Sequence, residues 1–346
     1  MATKNWFGFP GELPPPLALN QLVLGKWVSQ AVAVAADLDV ADRLASGPRT
    51  SAELAAEIGV NEDGLYRLLR ALANADVLVE EPGRRFALTE IGQFLRRDVP
   101  GSLHGWARMA GHAPWWRPWG ELLHSVRTGE PAFPVVFGEG PFEYLAKHPE
   151  EAAVFNESMT SISRLEAEAV AAGYDFSGIG TLADVGGGHG FLLGTILRAH
   201  ANLRGLLFDL PHVVAGASEV LRTLGVEPRC RIAGGSFFDS GPAGADAVIL
   251  KHVLHDWDDA DATKILANCA GVLPSGGRVL VAEMVVPPPG EKHFAKLLDL
   301  EMLVITDRGR ERTEEEYGAL FRAAGLRPSR LVPTLSPVSI VEAVKE

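Results

Sequence analysis

The stretch Thr181–Gly190, reading T-L-A-D-V-G-G-G-H-G, constrains the fold of this chain more than any other. Leu182, Ala183 and Val185 read as a short buried strand with Asp184 at its end. Gly186, Gly187, Gly188 and Gly190 follow at once. Phe191–His200 then sets Leu192, Leu193, Ile196 and Leu197 on one helical face. Strand, glycine turn and helix make the first crevice of a doubly wound sheet, where ligands bind at the carboxyl ends of the strands. Glycine is needed because such a loop takes unusual dihedrals and its backbone must approach the ligand closely.

The spacing narrows the ligand. The dinucleotide fingerprint G-x-G-x-x-G is absent, because Phe191 stands where its third glycine belongs. The chain has G-x-G-x-G instead (Gly186, Gly188, Gly190), and no P-loop Lys-Ser/Thr pair follows. Alone, such a loop is also found as a plain tight turn. The next apolar run, Gly205–Leu210, ends in Asp209, an acid roughly 20 residues beyond the loop and placed to accept both ribose hydroxyls of a nucleoside.

D-V-G-G-G-H-G, then F-D-L-P-H-V (Phe208–Val213), then L-K-H-V-L-H-D-W-D-D (Leu250–Asp259) resemble the S-adenosylmethionine-dependent O-methyltransferases of the caffeate and hydroxyindole type, in their bacterial secondary-metabolism (antibiotic-pathway) branch. Order and spacing agree over Thr181–Glu346, and the N-terminal half fits the family pattern too. The resemblance implies an α/β, Rossmann-like methyltransferase sheet with an antiparallel C-terminal hairpin, preceded by a mainly helical, winged-helix dimerisation domain. It divides the chain into a dimerisation domain (1–100), a helical segment lining the substrate pocket (101–175) and a cofactor-binding catalytic domain (176–346).

Charge and composition agree. The net charge of −12 argues against a polyanionic partner. No apolar run reaches the roughly 20 residues that span a bilayer, and the N-terminus lacks an apolar signal core. Cys230 and Cys269 offer neither zinc spacing nor a disulfide framework, so a reducing, cytoplasmic setting is expected.

Along the chain, Asn5–Pro16 reads as irregular, with Pro10, Pro14, Pro15 and Pro16 blocking helix. Asn20–Ala45 reads as a helix that is apolar on most faces and so suited to a partner surface, a second copy of the chain. Thr50–Glu53 is a capping box, Asn61 caps a helix through Ala75, Val77–Glu80 and Arg85–Leu88 form a wing, and Thr89 starts another helix. A winged helix-turn-helix raises DNA binding. However, acids outnumber bases over residues 1–100, and phosphate neutralisation needs clustered basic residues. No nucleic acid and no membrane partner is therefore expected.

Gly101–Gly173 reads as helical and aromatic-rich, with Trp106, Trp115, Trp116 and Trp119 among the chain's seven tryptophans. Aromatic walls suit a flat acceptor, though helix packing alone also produces such clusters. The resemblance places Trp106, Trp116, Phe155, Met159, Asp256 and Met302 at the acceptor pocket. It places Asp184, Gly186, Gly188, Gly190, Asp209, Leu210, Ser236, Phe237, Lys251, Trp257 and Ser163 at the cofactor. Ser236 departs from the family, which usually has an acid there to accept the adenine amine. Strands are expected at Arg231–Ala233, Ala247–Lys251 and Arg278–Val285, with Ser329–Leu335 and Val338–Val344 as the closing hairpin.

Methyl transfer from a sulfonium needs acceptor oxygen and methyl carbon held in line and the phenolic proton removed. A phenol has a pKa of about 10, so a base near roughly 6.5–7 would serve at neutral pH. His255, just past the strand Ala247–Lys251, matches the family's catalytic base, with His252 one turn earlier as the competing candidate. By the same resemblance Glu283 and Glu311 bracket the histidine. Read without the family, Glu311 is one more charge in the run D-R-G-R-E-R. No metal is expected, since a magnesium-dependent catechol enzyme would need an acid-rich site. The same fold turned to N- or C-methylation or to cofactor-assisted decarboxylation or hydroxylation, and a winged-helix regulator, are the rival functions.

Overall fold

The computed structural model describes residues 6–8 and 11–346. It divides into two compact units, residues 1–117 with 145–162, and residues 118–144 with 163–346. Residues 101–175 are thus shared between the units.

The first unit is helical with a small wing. Its first helix runs Pro15–Asp37 and a short one follows at Val40–Arg43. The expected single helix Asn20–Ala45 is thus two. Pro15 and Pro16 begin the first because a helix's opening turn has no N–H to lose. The break falls at Asp39, whose φ of +50° is left-handed and ends the hydrogen-bond ladder. The remaining irregular stretch lies partly outside the described residues, at Asn5, Phe9 and Pro10. Leu19, Leu22, Val23 and Trp27 are 61–78% exposed on the first helix, so its apolar face is uncovered within the chain.

The capping box at Thr50 and Glu53 is formed, and Asn61 caps Glu62–Asn74. Strands Leu78–Glu81 and Arg85–Leu88 pair antiparallel, with Arg49–Thr50 beside the second. Thr89 caps a 3-10 turn, Gly92–Leu95, instead of an α-helix, donating to Val77 O and accepting from Gly92 N. On the helix Glu62–Asn74, Arg67 lies 3.9 Å from Asp63 and Arg70 covers Tyr66, so each basic group has a partner within the helix.

The second unit is built on a seven-stranded sheet. Its strands are β1 (Thr181–Val185), β2 (Arg204–Asp209), β3 (Cys230–Gly234), β4 (Ala247–Lys251), β5 (Arg278–Glu283), β6 (Leu326–Pro333) and β7 (Ser339–Lys345). The order is β6-β7-β5-β4-β1-β2-β3, parallel except where β7 meets β5 and β6. Helices cover both faces, so the central strands are near-continuous apolar runs. The order reverses between β1 and β4, and the glycine loop sits at this switch point. β5 stops at Glu283, short of the expected Val285. Val285–Val286 instead pairs parallel with Arg312–Thr313, which brings the segment after Thr306 to the sheet's carboxyl edge.

Candidate active site

The glycine loop leaves β1 with Gly186, Gly188 and Gly190 at φ of +71°, +58° and +79°, a region that side chains resist. Gly186 N–H donates to Phe208 O at 2.9 Å. Asp209 accepts from Gly188 N at 2.9 Å and Leu210 N at 2.7 Å, so its carboxylate is fixed while lone pairs stay open to hydroxyl donors. Asp184 is buried under the loop, and a Cβ on Gly187 would lie 2.6 Å from its carboxyl carbon. Its Oδ2 has no hydrogen-bond partner among the described residues, and burial pushes its pKa up to about 7 despite the nearby Lys251.

Two acids and a backbone cradle suit a ligand that brings hydroxyls and an ammonium, and would repel a pyrophosphate. Phe237 lies close to Gly186 and meets Trp257 edge-on at 6.2 Å. Ser236 turns inward on its own loop, its hydroxyl accepting from Phe238 N at 3.2 Å. Leu210 is exposed, and Ser163 is half-buried on the helix Pro149–Gly173. These residues fit S-adenosylmethionine.

Beside the loop, β4 ends at Lys251 and the chain turns at His252, whose φ is +52°. Val253 packs against Gly186, a Cβ on which would lie 2.7 Å from it. His255 follows in a 3-10 turn, 7% exposed. Its Nδ1 donates to Glu311 Oε1 at 2.7 Å, and its Nε2 lies 3.7 Å from Asp256 Oδ1. Burial depresses the imidazole, but Asp256, Glu311 and Glu283 outweigh it and push the pKa up to about 10. This replaces the expected near-neutral base, because three acids converge where the sequence reading counted two. Burial raises Glu311 and Asp256 above the carboxylate range, with the imidazolium pulling both back.

Glu311 is 2% exposed, so the reading of D-R-G-R-E-R as a solvated run fails at this residue. Its N–H donates to Asp299 at 2.9 Å and Arg310 N–H to His255 O at 2.7 Å, docking the segment on the histidine's own loop. Glu283 is fully buried but does not touch the imidazole ring. Its Oε1 accepts the N–H groups of Val253, Leu254 and His255 at 3.1, 2.7 and 3.3 Å, and its Oε2 accepts the Tyr317 hydroxyl. Of the two expected bracketing acids, one holds the ring and the other the backbone beneath it.

Sequence reasoning missed Glu166. It is buried on the helix Pro149–Gly173 and binds Lys251 Nζ at 2.9 Å and His252 Nε2 at 3.0 Å. Burial would raise its pKa, yet His252 and Lys251 hold it down to about 2. His252 is itself depressed by burial, and its ring lies 5.0 Å from that of His255, nearly parallel. The one sequence signal was an acid beside Ala167 and Val170, a pattern that the exposed Glu168 shares.

The expected acceptor residues divide between the units. Met302 is buried on the helix Ala295–Ile305, in the unit that holds His255 and Asp256. Trp106, Phe155 and Met159 pack in the first unit around Met109, Trp115 and Val154, where Trp115 stacks on Phe155 at 5.5 Å. Trp116 is half-buried in the same unit. Also in that unit, Asp39, Asp42 and His104 place ligand atoms within 4.8 Å of one another. Arg97 fills that charge, pairing with Asp39 and donating to His104 at 3.3 Å.

An O-methyltransferase domain model matches residues 119–327 and an O-methyltransferase dimerisation model residues 20–98. Phenazine O-methyltransferase PhzM of Lysobacter antibioticus is 44% identical over 96% of this chain and 97% of its own length. The crystal structure of LaPhzM superposes with a TM-score of 0.92 at 42% identity, covering 96% of this chain and 100% of that one. NcsB1, an O-methyltransferase from neocarzinostatin biosynthesis solved with S-adenosylmethionine and 2-hydroxy-5-methyl naphthoic acid, gives a TM-score of 0.78 at 40% identity. That match covers 92% of this chain and 96% of that one.

Proposed function

The chain belongs to the S-adenosylmethionine-dependent O-methyltransferases, and from that premise we propose that it methylates a phenolic hydroxyl of a fused-ring aromatic intermediate, with His255 as the base. The observation that carries this is the His255–Glu311 pair at 2.7 Å, with Asp256 beside Nε2, on a loop packed against the glycine turn. The phenazine and naphthoic acid relatives suggest the acceptor class. The chain acts as a homodimer through its dimerisation domain, and the bared face of the helix Pro15–Asp37 is the surface for it. No helix among the described residues is long and apolar enough to cross a membrane. Cys230 and Cys269 are free thiols, in keeping with a reducing compartment such as the cytoplasm.

Asp209 and Leu210 would hold the ribose, and Phe237 and Trp257 would flank the adenine, while Ser236, turned inward on its own loop, leaves the adenine amine without the family's usual acid. Asp184, Lys251, Ser163 and the loop glycines Gly186, Gly188 and Gly190 would hold the amino-acid end. When bound, S-adenosylmethionine supplies an electrophilic methyl group on a sulfonium. On the His255 side, Met302 would wall the flat acceptor.

Glu311 fixes the His255 proton on Nδ1, so Nε2 is the atom that takes the phenolic proton. An imidazole raised to about 10 matches a phenol of pKa about 10, so the proton passes between them at little cost. Asp256 and Glu311 then stabilise the imidazolium. The reactive pair holds one proton between nitrogen and oxygen. At lower pH it holds two and cannot react, so turnover rises with pH through neutrality.

The test is the purified protein with cofactor against hydroxyphenazines, hydroxynaphthoic acids and monocyclic phenols, read by product mass and pH–rate profile. A methylated fused-ring phenol is expected. Methylation of aromatic amines alone, with every phenol untouched, would overturn the hydroxyl assignment.

A further inference from the structure

Arg312 is fully buried, and its guanidinium reaches the loop that carries His255. Nη1 donates to Leu254 O and Nη2 to Trp257 O, each at 2.8 Å, so the two carbonyls that flank His255 and Asp256 are both held. Nε and Nη2 share Asp259 Oδ1 at 3.0 and 2.9 Å. Asp259 is the only acid in this set, and its side chain is 62% exposed. Burying a guanidinium against so weakly buried a counterion is costly, and an apolar side chain would fill the space more cheaply. What an apolar side chain could not do is hold two backbone carbonyls in one plane, for which the rigid fork of arginine is suited.

The neighbouring residues act on the same loop. Glu311 binds the imidazole, Arg310 N–H binds His255 O, and a Cβ on Gly309 would lie 2.5 Å from that same oxygen. Glu283 holds three N–H groups of the same loop. The loop is gripped at its donors by a carboxylate and at its acceptors by a guanidinium.

We propose that Arg312 is a positioning residue for methyl transfer, fixing Val253–Trp257 so that His255 meets Glu311 on one side and the acceptor hydroxyl on the other. The inference rests on the reading of His255 as the base. A displacement of about 1 Å at a reacting group can cost on the order of a hundredfold in rate. The charged groups that face His255 are Asp256 at Nε2, Glu311 at Nδ1 and Glu283 beneath its N–H. His252 stacks beside it and carries Glu166.

The test uses the full chain with Arg312→Lys, Asp259→Asn and His255→Ala. Readouts are kcat with a hydroxyphenazine, S-adenosylhomocysteine affinity by calorimetry, and the imidazole titration of His255 by NMR in the ligand-free protein. For Arg312→Lys, kcat should fall about ten- to a hundredfold while homocysteine-product affinity changes less than about threefold. The His255 titration should move to lower pH as its contact with Glu311 loosens. A kcat within about twofold of the parent, or an unmoved titration, overturns the proposal. Should Arg312→Lys fail to fold, Asp259→Asn decides, since it keeps the guanidinium and weakens one anchor. A shift in the same direction supports the clamp, and an unmoved titration overturns it. If His255→Ala keeps most activity, the base reading fails instead, while the NMR titration still judges the clamp.

Discussion

His252 and His255 lie three residues apart on one loop, their rings nearly parallel, each bonded to a buried glutamate, yet they are driven in opposite directions. Burial lowers both. At His255 the converging acids Asp256, Glu311 and Glu283 reverse this and raise the imidazole to about 10. At His252 burial wins, because Glu166 divides its charge with the Lys251 ammonium at 2.9 Å. A carboxylate partner therefore does not make a histidine a strong base. The net charge around it does: three acids act on His255, whereas His252 has one acid, shared with a lysine.

The contrast breaks most readily at His255. His255→Ala should lower turnover by about 10²–10⁴ with cofactor affinity nearly intact, whereas His252→Ala should cost less than about a tenth of that loss through packing. Steady-state kinetics with calorimetric cofactor titration reads both, and equal losses would erase the distinction.

Next in size is stability. Glu166→Gln leaves the Lys251 ammonium, 10% exposed, without its counterion, and about 3–5 kcal/mol should be lost in denaturant unfolding. The pH dependence has a definite sign. Glu166 is depressed from 4.5 to about 2, so its contribution is complete above 4.5 and disappears as pH falls towards 2. His255 is raised from 6.5 to about 10, so its contribution is complete below 6.5 and disappears as pH rises through 10. Glu166→Gln should flatten the acid limb of the stability profile and leave the alkaline limb in place.

Asp209 is a control outside the histidine loop. Asp209→Ala should weaken S-adenosylhomocysteine binding by about 1.5–3 kcal/mol in calorimetry, through lost charged hydrogen bonds, while the two imidazole titrations stay where they were. Unchanged affinity would remove Asp209 from the site. The smallest effect is the most pointed one. In the ligand-free Lys251→Met variant, Glu166 faces His252 alone, and the His252 titration should move upward in NMR. A downward or absent shift would show that lysine is not what separates the two histidines.

Local features were legible because local physics makes them. The capping box at Thr50, the loop Gly186–Gly190, the acid Asp209 and the buried runs of β1, β2 and β4 all stand where the pattern puts them. The misses share one cause. Glu311 and Glu168 both sit among charges in sequence, and only one is buried. Glu311 meets a histidine 56 residues away and Glu166 one 86 residues away, and no periodicity records what lies across such a gap. Glu283 was expected to bracket the histidine, but its partners are three backbone N–H groups and the Tyr317 hydroxyl, and no side-chain pattern reveals the backbone ones. The break at Asp39 escaped for a related reason. No proline or glycine marks it, and the residue takes a left-handed φ beside its ion pair with Arg97 and its contact with His104.

The sequence by itself determined the family, the sheet, the cofactor loop and the histidine, because glycine dihedrals, apolar runs and motif spacing act over a few residues. The tertiary structure alone decided how strong a base that histidine is and what holds it. Proton affinity depends on every charge within a few ångströms, and those charges arrive from Asp256, Glu283 and Glu311, on three separate segments that only folding brings together.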